Sequence, residues 1–256
     1  TVIRDQDKLD YKPLDDKGLL VFAGWDDQAQ NGSFDKSAGN PGSHYYPGHS
    51  PGYSNQGLKS WCLESARSCQ IYTTFKNVEA LEGTLCFWFK RDPNVRNELQ
   101  VTGASENSWK QGVNRGNTGE SMITIGMMQR RGFSNGGLGL RRFPGWEGKE
   151  GYLELVYQGL NHTLHHVSVP YEKATMYEWR HCAMLWSVKE KRLELYLDGK
   201  LAGKAKPDEA EWYPVPWDTA GPYGHELILL TTDHGHWSGT SRDELYIYNR
   251  ALTPDE

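Results

Sequence analysis

The sequence predicts an all-β protein built as a two-sheet antiparallel β-sandwich with long loops. Short apolar or alternating runs recur along the 256 residues, which is the pattern of strands. The 28 Gly and 12 Pro residues supply many turns between them. Helical character is limited to a turn or two near residues 77–80. Sandwiches of this size commonly remain single domains, and no segment has the composition of a linker. We therefore expect one domain over residues 1–256.

The strands are predicted from local patterns. An apolar run bounded by glycines predicts a buried first strand at residues 18–24, and residues 245–248 alternate as a final strand. Residues 59–64 and 70–74 are predicted to form a hairpin. The remaining predicted strands lie at 82–90, 121–129, briefly around 138–140, and at 152–157, 163–169, 179–186, 192–197 and 227–231. Long polar segments separate some of them, at residues 28–57, 91–120 and 208–224.

Two strand regions carry further detail. Leu85, Phe87 and Phe89 alternate with Cys86 and Trp88, so the strand at 82–90 is apolar on both faces and is expected to be central. Trp88, Trp179 and Trp186 are expected in the core. Asp198-Gly199 between two alternating runs predicts a tight hairpin turn, because both central positions need positive φ.

Charge and hydropathy argue against several kinds of partner. The formal net charge of −5 gives no electrostatic footprint for nucleic acid or for an anionic membrane surface. No run approaches the roughly 20 apolar residues that a membrane-spanning helix needs. We therefore expect neither nucleic-acid binding nor membrane insertion.

The four cysteines are Cys62, Cys69, Cys86 and Cys182. None has the spacing of a zinc site or of a C-x-x-C motif. Cys62 and Cys69 flank a short polar turn, so a disulfide across the predicted hairpin is one reading and a pair of free thiols is the other. Cys86 and Cys182 lie in apolar strands, where buried free cysteines are common. An even count fits an oxidising compartment.

The last strand resembles a known family. Residues 243–252 read D-E-L-Y-I-Y-N-R-A-L, similar to the closing strand of the bacterial laminin-G-like jelly rolls in the concanavalin A-like lectin and glucanase superfamily. Residues 83–90, 179–186 and 195–200 also resemble family strands. Arg242 departs from the pattern, since the family more often has an aliphatic residue there. The resemblance implies a concanavalin A-like jelly roll whose first and last strands pair.

The resemblance also implies a metal. Family members often hold one calcium ion between the loop after the first strand and the aspartate of the D-E-L motif. Those positions are Asp26 and Asp243 here, with backbone carbonyls near Gly32 or Asn40 completing the shell. Calcium takes six to eight oxygens and suits irregular loops. The alternative is that Asp243 caps a turn and Asp26 is solvated.

Aromatic residues in predicted loops favour a binding surface. Sugars pack their C–H faces on aromatic rings, and aromatics are equally enriched at protein interfaces. His234 and His236 could contact a ligand, whereas two His with one spacer are a weak metal signal. The candidate ligand-binding residues are Trp212, Trp217, His234, His236 and Trp237.

The pattern of carboxylates argues against a glucanase, because a retaining mechanism needs two carboxyl groups about 5 Å apart. Glu154 and Glu194 each stand alone in ordinary strand alternation. We therefore predict a non-catalytic binding module, secreted, periplasmic or at the cell surface, that recognises a glycan or another extracellular protein and carries a structural calcium ion. The alternatives are a polysaccharide-degrading hydrolase or lyase, using residues such as Glu154, His165 or His181, and a structural subunit of an extracellular complex.

Overall fold

The structure is a computed structural model. It describes residues 16–26, 34–38, 43–44, 52–54, 57–58, 60, 62–64, 70–73, 77–79, 81–91, 120–129, 132–143, 151–158, 164–171, 177–205, 227–231 and 240–256. In these ranges the regular structure consists of antiparallel strands. The described part of the chain contains no helix with the length and apolar character needed to cross a membrane.

The larger layer is a nine-stranded sheet. In chain order its strands are β1 (Leu19–Ala23), β2 (Lys36–Ser37), β4 (Gly52–Ser54), β5 (Cys62–Glu64), β7 (Glu82–Arg91), β12 (Arg180–Ser187), β13 (Arg192–Leu197), β14 (Lys200–Ala205) and β16 (Thr240–Tyr248). Their order across the sheet is β14-β13-β12-β7-β16-β1-β2, with β5 paired to the start of β16 and β4 paired to β5.

The opposing layer contains the other strands. These are β3 (Ser43–His44), β6 (Gln70–Thr73), β8 (Glu120–Gln129), β9 (Gly132–Phe143), β10 (Gly151–Gln158), β11 (Leu164–Tyr171) and β15 (Leu227–Thr231). Hydrogen bonding gives a four-stranded sheet, β11-β10-β9-β8, and a three-stranded sheet, β15-β6-β3. Because β15 runs beside β8, the two sheets form one layer.

The first and last strands pair as predicted. Ala23 lies opposite Leu245, and Phe22 lies opposite Tyr246. Beyond the strands, the Asn249 N–H donates to the Gly18 carbonyl at 2.9 Å. All nine residues of β16 are buried, because β7 pairs along one edge of the strand and β5 and β1 pair along the other. The closing strand is therefore an interior strand of its sheet.

The core lies between the layers. Leu85, Phe87 and Phe89 of β7 all face it, while Cys86 belongs to a smaller cluster on the outer face, as the alternation predicts. Trp186 is also in the core, and it packs so closely on Gly83 that a Cβ there would lie 2.3 Å from the ring. The Asp198-Gly199 turn has the predicted positive φ values, 49° and 74°.

Two strand predictions are wrong. Residues 62–64 and 70–73 do not form a hairpin, because β5 pairs with β16 and β4, whereas β6 pairs with β15 and β3 in the opposing layer. The brief strand predicted around 138–140 is part of the twelve-residue β9. Short strands are apolar enough to enter either layer, so their partners do not follow from local pattern.

Within the described ranges no disulfide is found. Cys62 is a buried thiol on β5, and Cys69 lies outside the described residues. Cys86 and Cys182 are buried free thiols, as predicted. Burial raises the pKa of Cys86 to about 12, which keeps this thiol protonated and unreactive at neutral pH.

Candidate functional site

The end of β1 forms one side of the candidate site. After Ala23 the chain leaves the strand through Gly24 and Trp25, and Trp25 has a φ of 52°. A positive φ is uncommon for a bulky residue and is held here by burial, since the Trp25 side chain is fully inside the core. Next in the chain, Asp26 lies close enough to Asp243 for its charge to act on that carboxyl group.

A β-bulge in β16 forms the other side. Asp243 lies opposite Trp88 of β7, while Tyr246 lies opposite Cys86, so Glu244 is the extra residue. Glu244 has a φ of 50°. The bulge reverses the alternation: Leu245 faces the core after it, whereas Arg242 faces the core before it. Asp243 is thereby placed on the outer face, beside the end of β1.

The Asp243 carboxylate is buried and bonded to backbone N–H groups. Its Oδ2 accepts from Leu58 at 2.7 Å, and its Oδ1 accepts from Glu244 at 3.0 Å. Burial raises the pKa of Asp243 from 3.8 to about 8; the N–H groups oppose this, and the negative charges of Glu244 and Asp26 add to it. A buried carboxyl beside two other acids is a natural place for a cation.

This pKa predicts how stability depends on pH in metal-free buffer. Between pH 4 and pH 8 the folded state holds a proton on Asp243 that the unfolded state has lost. Stability should therefore fall as pH rises through this window, by up to about 1.4 kcal/mol per pH unit. Thermal or urea unfolding in EDTA at pH 5, 6, 7 and 8 measures it. Asp243→Asn should flatten the slope, and an unchanged slope in this variant would contradict the assignment.

The described residues supply part of a calcium shell. Asp26 and Asp243 offer carboxylate oxygens, the ligands that calcium prefers. Asp35 lies near the end of β1, but one of its carboxylate oxygens already accepts the Gly24 N–H at 2.7 Å. Within the described ranges no three His, Cys, Asp or Glu side chains converge as a metal-binding group. Further oxygens would have to come from backbone carbonyls or from segments outside those ranges, including the predicted positions Gly32 and Asn40.

The predicted ligand-binding residues lie outside the described residues. These are Trp212, Trp217, His234, His236 and Trp237, and their assignment stays a prediction.

The core assignment of Trp88 and Trp179 was wrong. Both are only half-buried, and Trp88 faces outward from the nine-stranded sheet. Its ring lies 5.3 Å from that of His181, and the Lys90 ammonium lies 4.7 Å from the Trp179 ring. The alternation with Leu85, Phe87 and Phe89 already placed Trp88 on the opposite face of the strand. That outer face of a central strand can be apolar without belonging to the core.

The residues considered for catalysis are only partly described. Glu154 and His181 lie on different layers, in β10 and β12, and nothing is described of the His165 side chain. Burial lowers the pKa of His181, partly offset by Asp198. Burial raises the pKa of Glu154, and His166 and Arg141 oppose it. The permanent charge acting on Glu154 is thus the Arg141 guanidinium and not a second carboxylate.

The two packed layers and the pairing of the first strand with the last define a jelly-roll-like β-sandwich, consistent with a concanavalin A-like fold. No protein-family model matches the sequence, and no curated protein does. Among solved structures, the chain is similar to domain 4 of AbnA, a GH43 extracellular arabinanase from Geobacillus stearothermophilus, in complex with arabinotriose. The two share 15% identity over 93% of this chain and 95% of that one, with a TM-score of 0.57. At this identity the likeness shows the fold.

Two other similar structures have lower scores. The Ruminococcus gnavus IT-sialidase CBM40, bound to α2,3-sialyllactose, has 11% identity over 76% of this chain and 92% of that one, with a TM-score of 0.45. A heptameric SAP-like pentraxin from Limulus polyphemus has 15% identity over 75% and 71%, with a TM-score of 0.38.

Proposed function

We propose that this chain is a non-catalytic glycan-binding module of the laminin-G-like type that acts outside the cytoplasm. The observation that carries the proposal is the likeness to AbnA domain 4, which extends over 93% of this chain and 95% of that domain, itself solved with arabinotriose. The resemblance of residues 243–252 to laminin-G-like jelly rolls supports the same class. Fold alone does not give function, so binding has to be measured.

The ligand surface is proposed to be formed by the loop aromatics Trp212, Trp217 and Trp237, with His234 and His236. Indole rings offer flat apolar faces to the C–H groups of a sugar, and imidazoles hydrogen-bond its hydroxyl groups. The same residue types suit a protein partner. A glycan is the stronger candidate because the similar domain of matching length holds one.

A structural calcium ion is part of the proposal. Asp26 and Asp243 would hold it, and its chemistry would be electrostatic, since it would neutralise the carboxylates that the bulge and the end of β1 bring together. Its structural effect would be to join the loop after the first strand to the last strand. The burial of Asp243 among acidic neighbours supports the site.

Calorimetric titration with a panel of oligosaccharides, including arabinotriose, tests the function. We expect the wild-type protein to bind at least one member, and Trp212→Ala, Trp217→Ala and Trp237→Ala together to weaken binding tenfold or more, since each stacked ring contributes on the order of 1 kcal/mol. Tyr177→Ala is the control, because Tyr177 is an aromatic residue exposed to 46%. Absence of binding to the whole panel, with binding instead to a protein, would overturn the proposal.

A further inference from the structure

Two glutamates with the same local sequence have opposite environments. Glu154 stands in Leu153-Glu154-Leu155 of β10, and Glu194 stands in Leu193-Glu194-Leu195 of β13. In both strands the leucines face the core, so both glutamates lie on an outer face of the sandwich. Local alternation assigns both to the solvent-facing side.

Glu194 is paired in the way an outer-face acid usually is. Its two oxygens accept from Arg192 at 3.1 and 2.8 Å, and the Tyr196 hydroxyl donates to it at 3.1 Å. The hydrogen bond from Arg192 lowers the pKa of Glu194. The Glu194 carboxylate is ionised and in contact with solvent, and both of its oxygens accept hydrogen bonds from side chains of this protein.

Glu154 is different because it is buried and only partly bonded. Its side chain is 7% exposed. Oε1 accepts from the Ser168 hydroxyl at a long 3.5 Å and lies 3.7 Å from His166 Nδ1. Oε2 is buried and accepts no hydrogen bond. A buried carboxyl oxygen without a donor destabilises the folded state, and so calls for an explanation beyond stability.

The neighbours of Glu154 form a polar row across the four-stranded sheet. Arg141 of β9 lies directly opposite it on one side, and Ser168 of β11 lies opposite on the other. Ser168 and His166 are exposed, the His166 side chain by 49%. The buried acid therefore lies beside two exposed groups that can both donate and accept hydrogen bonds.

We propose that Glu154, Ser168 and His166 form a binding site for a neutral polyhydroxylated ligand on the outer face of the four-stranded sheet. Ligand hydroxyl groups bond the exposed Ser168 and His166, and one of them donates to the Glu154 carboxylate at the part of its side chain that stays exposed, 7% in all. The ligand is neutral because the Arg141 guanidinium already acts on the carboxylate as its cation, while the carboxylate repels an anion. The proposal rests on the glycan-binding function and gives it a second, hydrogen-bonding subsite.

The test compares Glu154→Gln and His166→Ala with the control Glu194→Gln, using calorimetric titration with arabinotriose and other neutral oligosaccharides. We expect Glu154→Gln to weaken binding at least tenfold and His166→Ala several-fold. Glu194→Gln should bind like the wild-type protein. The midpoint of thermal unfolding of Glu154→Gln should be equal to or above that of the wild-type protein, since the change removes a poorly bonded buried charge.

The outcomes separate the two proposals. Oligosaccharide binding by the wild-type protein that is unchanged in Glu154→Gln overturns the subsite and leaves the function standing. A lower unfolding midpoint in Glu154→Gln with unchanged affinity assigns Glu154 a structural role and also overturns the subsite. Failure of the wild-type protein to bind any oligosaccharide overturns the function and the subsite together.

Discussion

Calcium is expected to raise the midpoint of thermal unfolding of this protein, and EDTA is expected to lower it. An ion that binds only the folded state stabilises it by mass action, by about 4 kcal/mol when free calcium is a thousand times its dissociation constant. For a chain of this size that corresponds to a shift of about 10 °C. The expected site joins Asp26 after β1 to Asp243 in β16, strands that pair with each other.

Matched variants locate the effect. Asp243→Asn and Asp26→Asn should each abolish most of the calcium shift, whereas Asp16→Asn should keep it. Asp16 lies before β1 as an exposed acid paired with Lys36 at 3.0 Å. Scanning calorimetry on protein unfolded and refolded in EDTA removes even a tightly held ion. Equal midpoints with and without calcium in that material would rule out the site.

The overall fold was predictable because its strongest signals are local. The glycine-bounded first strand, the alternation around Leu85 and the Asp198-Gly199 turn each follow from side-chain period or backbone preference. Each is found as predicted. The pairing partners of β5 and β6 were not predictable in this way, because those partners are distant in sequence and the two strands are only three and four residues long.

The proximity of Asp26 to Asp243 was predictable from the motif, the geometry around Asp243 was not, and a metal ion held by these two residues stays a prediction. The motif pointed to Asp26 and Asp243, and the structure brings them together. A strict period of two would place Asp243 on the core face with Leu245 and Ile247. The bulge at Glu244 instead places Asp243 on the outer face. The sequence of the motif does not predict this bulge, since glutamate is not a residue that favours positive φ. Likewise, the two Leu-Glu-Leu triplets look alike until their neighbours across the sheets are known.

Replacing Arg242 by alanine is expected to destabilise the protein strongly. Arg242 is 2% exposed, and its Nε donates to the Met122 carbonyl of β8 in the opposing layer, while Nη1 donates to the Thr240 carbonyl at 3.3 Å. Truncation leaves a buried carbonyl without this donor and opens a cavity, which together cost about 3–5 kcal/mol. Urea unfolding measures the loss. Arg192→Ala is the control, since its pairs are partly exposed and contribute about 1 kcal/mol or less.

Arg242→Leu separates packing from hydrogen bonding. Leucine fills much of the same space but cannot donate to Met122, so we expect about half the loss seen for alanine. Equal losses in the two variants would mean that packing is unimportant here. A leucine variant as stable as the wild-type protein would mean that the charge is not retained for stability. The arginine would then serve to fix the bulge, because its Nε–H donates to the Met122 carbonyl on the core side, whereas leucine suits either face of β16.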